Sequence, residues 1–284
     1  MNAKIFGSRA MLLAPALGLL AAALLLPLLN ALVQSLTTPE LGLGNYIRLF
    51  TDGVTMEVVT RTVMVSATVT ALTALLGYPY AYFMTRLSGA WRLTLSLIVL
   101  VPFWTSMTAR NFAWMGIMQR NGPIDEIAKM LTGDGLILLG TIAGVAIAMT
   151  QVMLPFMVLP LFSNMAGINR QLLSAAQSLG SSPIKSFWKV YFPLSVPGLV
   201  SGGILVFALS FGFYVTPALL GSPQDSMVAQ LMAQRTLQVL DFGSASALGI
   251  VVLVLTLALI AIADRLGGSV GAIGGAAGKG GGAR

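Results

Sequence analysis

The chain has 284 residues, of which 56% are apolar and only 9% charged, and its net charge is +7. A soluble domain carries roughly a quarter charged residues, so this composition excludes a chain that coats itself for water and makes the bilayer its solvent. The absence of Cys and His excludes disulfides, thiol nucleophiles, imidazole bases and most transition-metal sites.

The first apolar run, 10–33, follows Lys4 and Arg9. It exceeds the roughly 7–15-residue apolar core of a signal peptide, and at about 1.5 Å per residue it crosses a ~30 Å hydrocarbon layer, so it is expected to be a retained span. Pro15 and Pro27 are compatible with that, because membrane helices tolerate proline. A polar loop leads to a second span over 62–84, and a turn with Arg86 and Arg92 leads to a third over 93–118, interrupted by Arg110. Polar residues 119–135 precede a fourth span, 136–162. After the segment 163–197 come a fifth span, 198–220, and a sixth, 246–263. The membrane domain is thus expected to cover 1–266, and the Gly-rich tail 267–284 to be disordered.

Six spans put both termini on one side. That side carries ten Lys and Arg, and the other side or its boundary six, so the termini are expected to be cytoplasmic. The basic residues are scattered, which fits this asymmetry better than nucleic-acid binding.

The cytoplasmic segment INRQLLSAAQSLGSSPIKSFWKVYFPLSVPGL, 168–199, reads as two short helices in a row. Asn169 can cap the first, and Ile168, Leu172, Leu173, Ala176 and Leu179 recur at helical spacing. Gly180 stands where a helix-ending residue with positive φ is wanted. Ser182 and Pro183 supply an N-cap and a proline at the first helical position. Phe187, Trp188, Tyr191 and Phe192 give the second helix an aromatic face, and Pro193 and Pro197 are expected to end it. An interfacial helix and a docking element for a partner both fit this pattern.

Polar groups inside spans need partners within the bundle or a wet cavity. Tyr214 and Thr216 in the fifth span and Gln151 in the fourth either hydrogen-bond between helices or line a translocation path. Arg110, beside Trp104 and Trp114, either snorkels to the outer boundary or gates that path. An enzyme would need a nucleophile and base, or a metal cluster, and the spans contain no carboxylate pair. A channel would usually show a polar pore repeat or a charged ring. The tail GAIGGAAGKGGGAR fails as a phosphate-binding loop, because Ile273 stands where Gly is required and Gly280 follows Lys279.

The 163–197 segment resembles the cytoplasmic signature of the membrane subunits of binding-protein-dependent ABC importers. Ala175 and Ala176 match its alanines, Gly180 its glycine, and Phe192 and Pro193 its end; Ser174 departs from the usual Glu. The stretches VPFWTSMTARNFAW, GFYVTPALLG and MVAQLMAQRTLQVLDFGSASALG are similar to the polyamine-type branch, as in spermidine/putrescine permeases. The resemblance implies an all-α membrane protein with six transmembrane helices of the type I ABC importer permease architecture. It places coupling helices between spans four and five and implies import of a polyamine or related amine. An opine, an amino-acid derivative or a phosphonate is the alternative solute. Leu172, Leu173, Ser174, Ala175, Ala176, Gly180 and Pro193 would couple to the ATPase. Trp104, Arg110, Gln151, Tyr214 and Thr216 would belong to the pathway. The implied partners are a second permease subunit, an ATPase dimer, a periplasmic substrate-binding protein and membrane lipid, with no nucleic acid. ATP and Mg would reside in the ATPase, leaving this chain without catalytic residues, metal or cofactor.

Overall fold

A computed structural model describes the backbone over residues 3–276 and the side chains over 15–262. The elements among the described residues are helical. Five helices are long and apolar enough to cross a membrane, and six spans result when one bent pair counts as a single span. The chain forms two compact units. One joins the described part of Met1–Met56 with Leu231–Val254, and the other joins Glu57–Gln230 with the described part of Leu255–Arg284.

In the first unit, α1 runs over Ala3–Thr37, past both bounds read from hydropathy. Its Leu19, Leu20 and Leu24 are exposed, as a surface solvated by lipid tails allows. The short α2, Gly44–Thr51, is tied back by Asn45, whose Nδ2 donates to the Ser35 and Thr38 carbonyls at 2.9 and 2.6 Å. These carbonyls at the end of α1 have no partner within the helix. Asp52 then accepts from the Val54 and Thr55 amides at 3.2 and 3.3 Å and pairs with Arg235 at 3.4 Å. The Thr55 hydroxyl, followed by these amides, holds the Asp52 carboxyl below the ordinary carboxylate range.

In the second unit, α3 (Gly53–Arg86) has the length expected for a span with extensions at both ends. The third span departs from its expected form. In place of one span over 93–118 stand α4, Ala90–Trp104, and α5, Met107–Met118, with a 99° bend between Ala90–Trp104 and Met107–Thr132. Thr105 is extended, and the Ser106 side chain accepts from the Ala109 amide, restarting the helix as an N-cap. The Pro123–Thr132 helix, α6, lies in the segment read only as polar, and begins with proline in its first turn. The most buried helix is α7, Ile142–Ala166, capped by Thr141, whose hydroxyl accepts from the Gly144 amide at 3.1 Å.

Met149, Met153, Met157 and Leu161 of α7 are fully buried and form the spine of the core. Close approach explains two glycines. A Cβ on Gly202 would lie 2.9 Å from Met157 Sδ and 3.1 Å from its carbonyl oxygen, and one on Gly198 would lie 2.6 Å from Asn164 Cβ. Without an aqueous hydrophobic drive between membrane helices, such small residues let van der Waals packing hold them together. Both belong to α10, Phe192–Phe211.

The fifth span is also interrupted. Where 198–220 was expected as one helix, α10 ends at Phe211 and α11 occupies Val215–Leu220 after Gly212–Tyr214. A further helix, α12, spans Val228–Leu237, and α13 spans Phe242–Ala276. The backbone of 267–276 therefore continues α13 instead of being irregular, while 277–284, with Lys279, lies outside the described residues.

Candidate functional site

The 163–197 segment forms the helix–Gly–helix unit expected from its residues. α8 covers Gln171–Ser178, and Asn169 Oδ1 accepts from the Gln171 amide at 2.9 Å. Gly180 has φ +86°, its amide donates to Gln177 at 2.9 Å, and the Ser181 amide donates to Ala176 at 3.1 Å. This pair of bonds is a Schellman motif, which satisfies the last carbonyls of α8 and needs a left-handed residue at its glycine. Ser182 caps α9, Pro183–Ser186, by accepting from the Lys185 amide at 3.4 Å, with Pro183 in the first turn.

The prolines do not end this second helix, contrary to the sequence expectation. A π-helical turn, Phe187–Tyr191, links α9 to α10, so the backbone is helical from Pro183 to Phe211. Proline at 193 donates no amide, and its ring would crowd the Lys189 carbonyl in a regular α-turn. The wider winding, in which the Phe192 amide reaches the Phe187 carbonyl, accompanies it there. Pro193 thus sits in the first turn of α10, and the second short helix is the base of the fifth span.

An aromatic cluster seats this base on α3. Phe187 packs on Tyr82 and Tyr191, each at 5.6 Å between centroids, and Tyr191 packs on Tyr82 at 5.2 Å. The Tyr78 hydroxyl bonds to Ser195 Oγ at 2.7 Å. Arg170 donates to the Thr85 carbonyl at the end of α3. Edge-to-face rings each contribute about 0.5–1.5 kcal/mol beyond burial, so these contacts hold the loop against α3. Leu173 and Ala176 face inward and are half-buried, whereas Leu172, Ser174 and Ala175 are exposed. Leu179 is 90% and Ile184 74% exposed, and Trp188 joins them, leaving a contiguous run of chain with large apolar groups uncovered.

The second group of sequence candidates does not converge on one cavity. Trp104 is 90% exposed at the end of α4. Gln151 accepts from Trp114 Nε1 at 2.8 Å, which joins α7 to α5. Thr216 is fully buried and donates to Asn111 Oδ1 at 2.9 Å. Thr216 thus makes a bond of the helix–helix kind that was one of its two alternatives. Tyr214 lies at the break before α11, is half-exposed, and its hydroxyl makes none of the hydrogen bonds among the described residues. Arg110 Nη2 donates back to the Pro102 and Thr105 carbonyls, bridging the break, and Arg110 lines a cavity with Phe103, Phe156 and Phe213. The phenylalanines were missed because apolar residues in a span give no chemical signal. Asn111, buried beside Arg110, was legible as a polar residue in an apolar stretch and was passed over.

Thr216→Val is expected to lower the thermal midpoint of the purified protein, at a cost of about 1 kcal/mol for an interhelical bond in a membrane, while Tyr214→Phe leaves transport unchanged. Lost transport in Thr216→Val at an unaltered midpoint would instead place Thr216 on the pathway.

The family profile described as "Binding-protein-dependent transport system inner membrane component" matches residues 74–271. The chain is 30% identical over 223 residues to the spermidine/putrescine transport system permease protein PotB of Haemophilus influenzae, covering 76% of this chain and 77% of that one. PotB of Escherichia coli K12 is 29% identical over 210 residues, 72% of this chain and 76% of its own. The fold is similar to that in a crystal structure of a bacterial ABC transporter that imports alginate, at a TM-score of 0.71 and 17% identity, covering 93% of this chain and 96% of that one.

Proposed function

This chain belongs to the family of binding-protein-dependent transport system inner membrane components, a multi-pass permease subunit of an ABC importer, and from that premise we propose how it is driven and what it carries. The 163–197 unit is the coupling element. It docks on a separate ATPase dimer, which holds ATP and Mg, and transmits closure of that dimer through α9 and the π-turn into α10. A second permease subunit completes the pathway, and a periplasmic binding protein delivers the solute. The alginate importer, whose structure is also known with its periplasmic protein bound, supports that last partner. Each step is driven only by partners that contact the two states differently.

The observation that carries this reading is the exposed row Leu172, Leu179, Ile184 and Trp188 on a helix–Gly–helix locked to α3. A rigid apolar surface at one end of the bundle is suited to passing a displacement, and α9–α10 continuity gives the displacement a path. Reconstitution with the partner subunits tests it: ATP hydrolysis should rise with the loaded binding protein, and Leu179→Asp with Ile184→Asp should abolish co-purification of the ATPase. Full co-purification of that double variant would overturn the assignment.

Both termini lie in the cytoplasm on this reading. Because the chain has no natural Cys, single cysteines test it cleanly. Ser88→Cys and Ser181→Cys should be protected from an impermeant thiol reagent in intact cells, and Thr51→Cys and Ser222→Cys should react. The reverse pattern would invert the topology.

The solute is a small polar organic amine, as the names of the PotB relatives support. A second reading, an amine that also carries an acid such as an opine, an amino-acid derivative or a phosphonate, is favoured by the position of Arg110. Titrating the cognate binding protein with a panel of such compounds distinguishes the two.

A further inference from the structure

Arg110 stands in α5, one turn beyond the break in the third span. Its Nη2 is engaged by the Pro102 and Thr105 carbonyls. Its Nε is buried without a partner, and Nη1 makes none of the hydrogen bonds among the described residues. None of the ion pairs among the described residues includes it. Between Arg61 and Leu220 the only acids are Asp125, Glu126 and Asp134, all in the 119–135 segment outside the spans. The chain therefore places a guanidinium within a span and provides no carboxylate there to neutralise it. An unpaired charge at such a position is costly, and polar satisfaction must come from something else.

Beside it is a cavity of about 270 Å³. Apart from Arg110 and Thr105, its walls are apolar, with Phe103, Phe156 and Phe213 among them. Such walls offer no competing hydrogen bonds and lower the local dielectric, which raises the effective strength of a charge interaction beside them. A guanidinium keeps its charge under all ordinary conditions and carries five N–H donors, three of them outside the bridge, which suits it to an anionic head group. A bare diamine would bring a second positive charge toward Arg110 in the same low dielectric, which is repulsive.

We propose that this cavity binds an anionic head group, carboxylate or phosphonate, of the transported solute, with Arg110 as its partner. The assignment rests on the importer reading and narrows it: the solute is an amine that carries an acid. Bridging of the α4–α5 break occupies Nη2 and leaves the charge, with the Nε–H and Nη1–H donors, for the ligand.

The test uses the importer assembled with its partner subunits, in which this chain has no natural Cys and the assembly without Leu209→Cys gives the labelling background. Leu209 lines the same cavity and is partly exposed, so Leu209→Cys reports the local field through its reactivity. A sulfonate-bearing thiol reagent should react faster than its trimethylammonium counterpart by roughly tenfold or more. Arg110→Gln should abolish that preference, and Arg110→Lys should keep it. γ-Aminobutyrate or aminoethylphosphonate should protect the cysteine, and putrescine, of similar length without an acid, should not. Should Arg110→Gln lose the bridge and aggregate, Arg110→Lys decides alone: it keeps the charge preference and weakens protection, because one ammonium cannot hold the break and present separate donors to the ligand at once. Equal reactivity of the two reagents, a preference that survives Arg110→Gln, or protection by putrescine but by neither acid would overturn the proposal. Uptake dependent on ATP and binding protein, measured in the same vesicles, reports the importer reading separately. Its absence beside an intact labelling pattern counts against that reading and not against the site.

Discussion

Gly180→Val is expected to leave the spans inserted and to reduce coupled transport by a factor of roughly 5–30, the equivalent of one to two kcal/mol. Gly180 has φ +86°, and nothing lies within 4 Å of where its Cβ would be. The penalty is therefore backbone strain and not a clash. A left-handed conformation costs an L-residue about 1–2 kcal/mol, and a β-branched side chain is the worst case. Relief of that strain unwinds the Schellman motif and turns α9 and the π-turn after it, with Ile184 and Trp188, away from their present orientation. Because asparagine tolerates the left-handed region, Gly180→Asn should be mild and Gly180→Ala intermediate. Insertion depends on span hydrophobicity, so protein levels should hold across the series while solute-stimulated ATP hydrolysis and ATPase co-purification fall in that order. Wild-type transport by Gly180→Val at wild-type levels would remove the main support for the coupling role.

Gly202→Ala should destabilise the protein, whereas the same change one residue later, Gly203→Ala, should not. At Gly202 the new methyl meets the Met157 carbonyl oxygen at 3.1 Å and its Cα at 3.3 Å, atoms that belong to the backbone of α7 and cannot swing away. Overpacking of this kind costs about 1–3 kcal/mol. At Gly203 the nearest atom is Thr70 Cγ2 at 3.7 Å, an ordinary contact. There the substitution gains the helix preference of alanine, about 0.5–1 kcal/mol. Thermal midpoints of the two variants in the same detergent should move in opposite directions, and equal shifts would show that α7 and α10 are not packed through Gly202.

Hydropathy alone located the first, second, fourth and sixth spans, since burial of backbone in a bilayer demands long apolar helices whatever their neighbours. Most of their ends were read short, by nine residues at the start of α3 against 62 and thirteen at the end of α13 against 263, because helices continue into interfacial water where composition changes but hydrogen bonding does not; α7 instead begins six residues after the expected 136, at its Thr141 cap. The loop chemistry was equally legible. Asn169, Gly180, Ser182 and Pro183 act through bonds to residues within five positions, so their roles are written in local spacing.

The sequence by itself therefore determined the membrane class, the positions of the uninterrupted spans and the helix–Gly–helix form of the 163–197 unit, because each depends on transfer from water or on bonds between near neighbours. Tertiary structure alone decided the 99° break after Trp104, the passage of α9 through a π-turn into α10, and the commitment of Thr216 to Asn111. It also decided that Arg110 turns back across the break toward an apolar cavity. Proline and polar side chains in a span can each be accommodated in several ways. Which way is taken depends on whether a partner 105 residues away in sequence, as Asn111 is from Thr216, arrives within hydrogen-bond reach, and only packing brings it there.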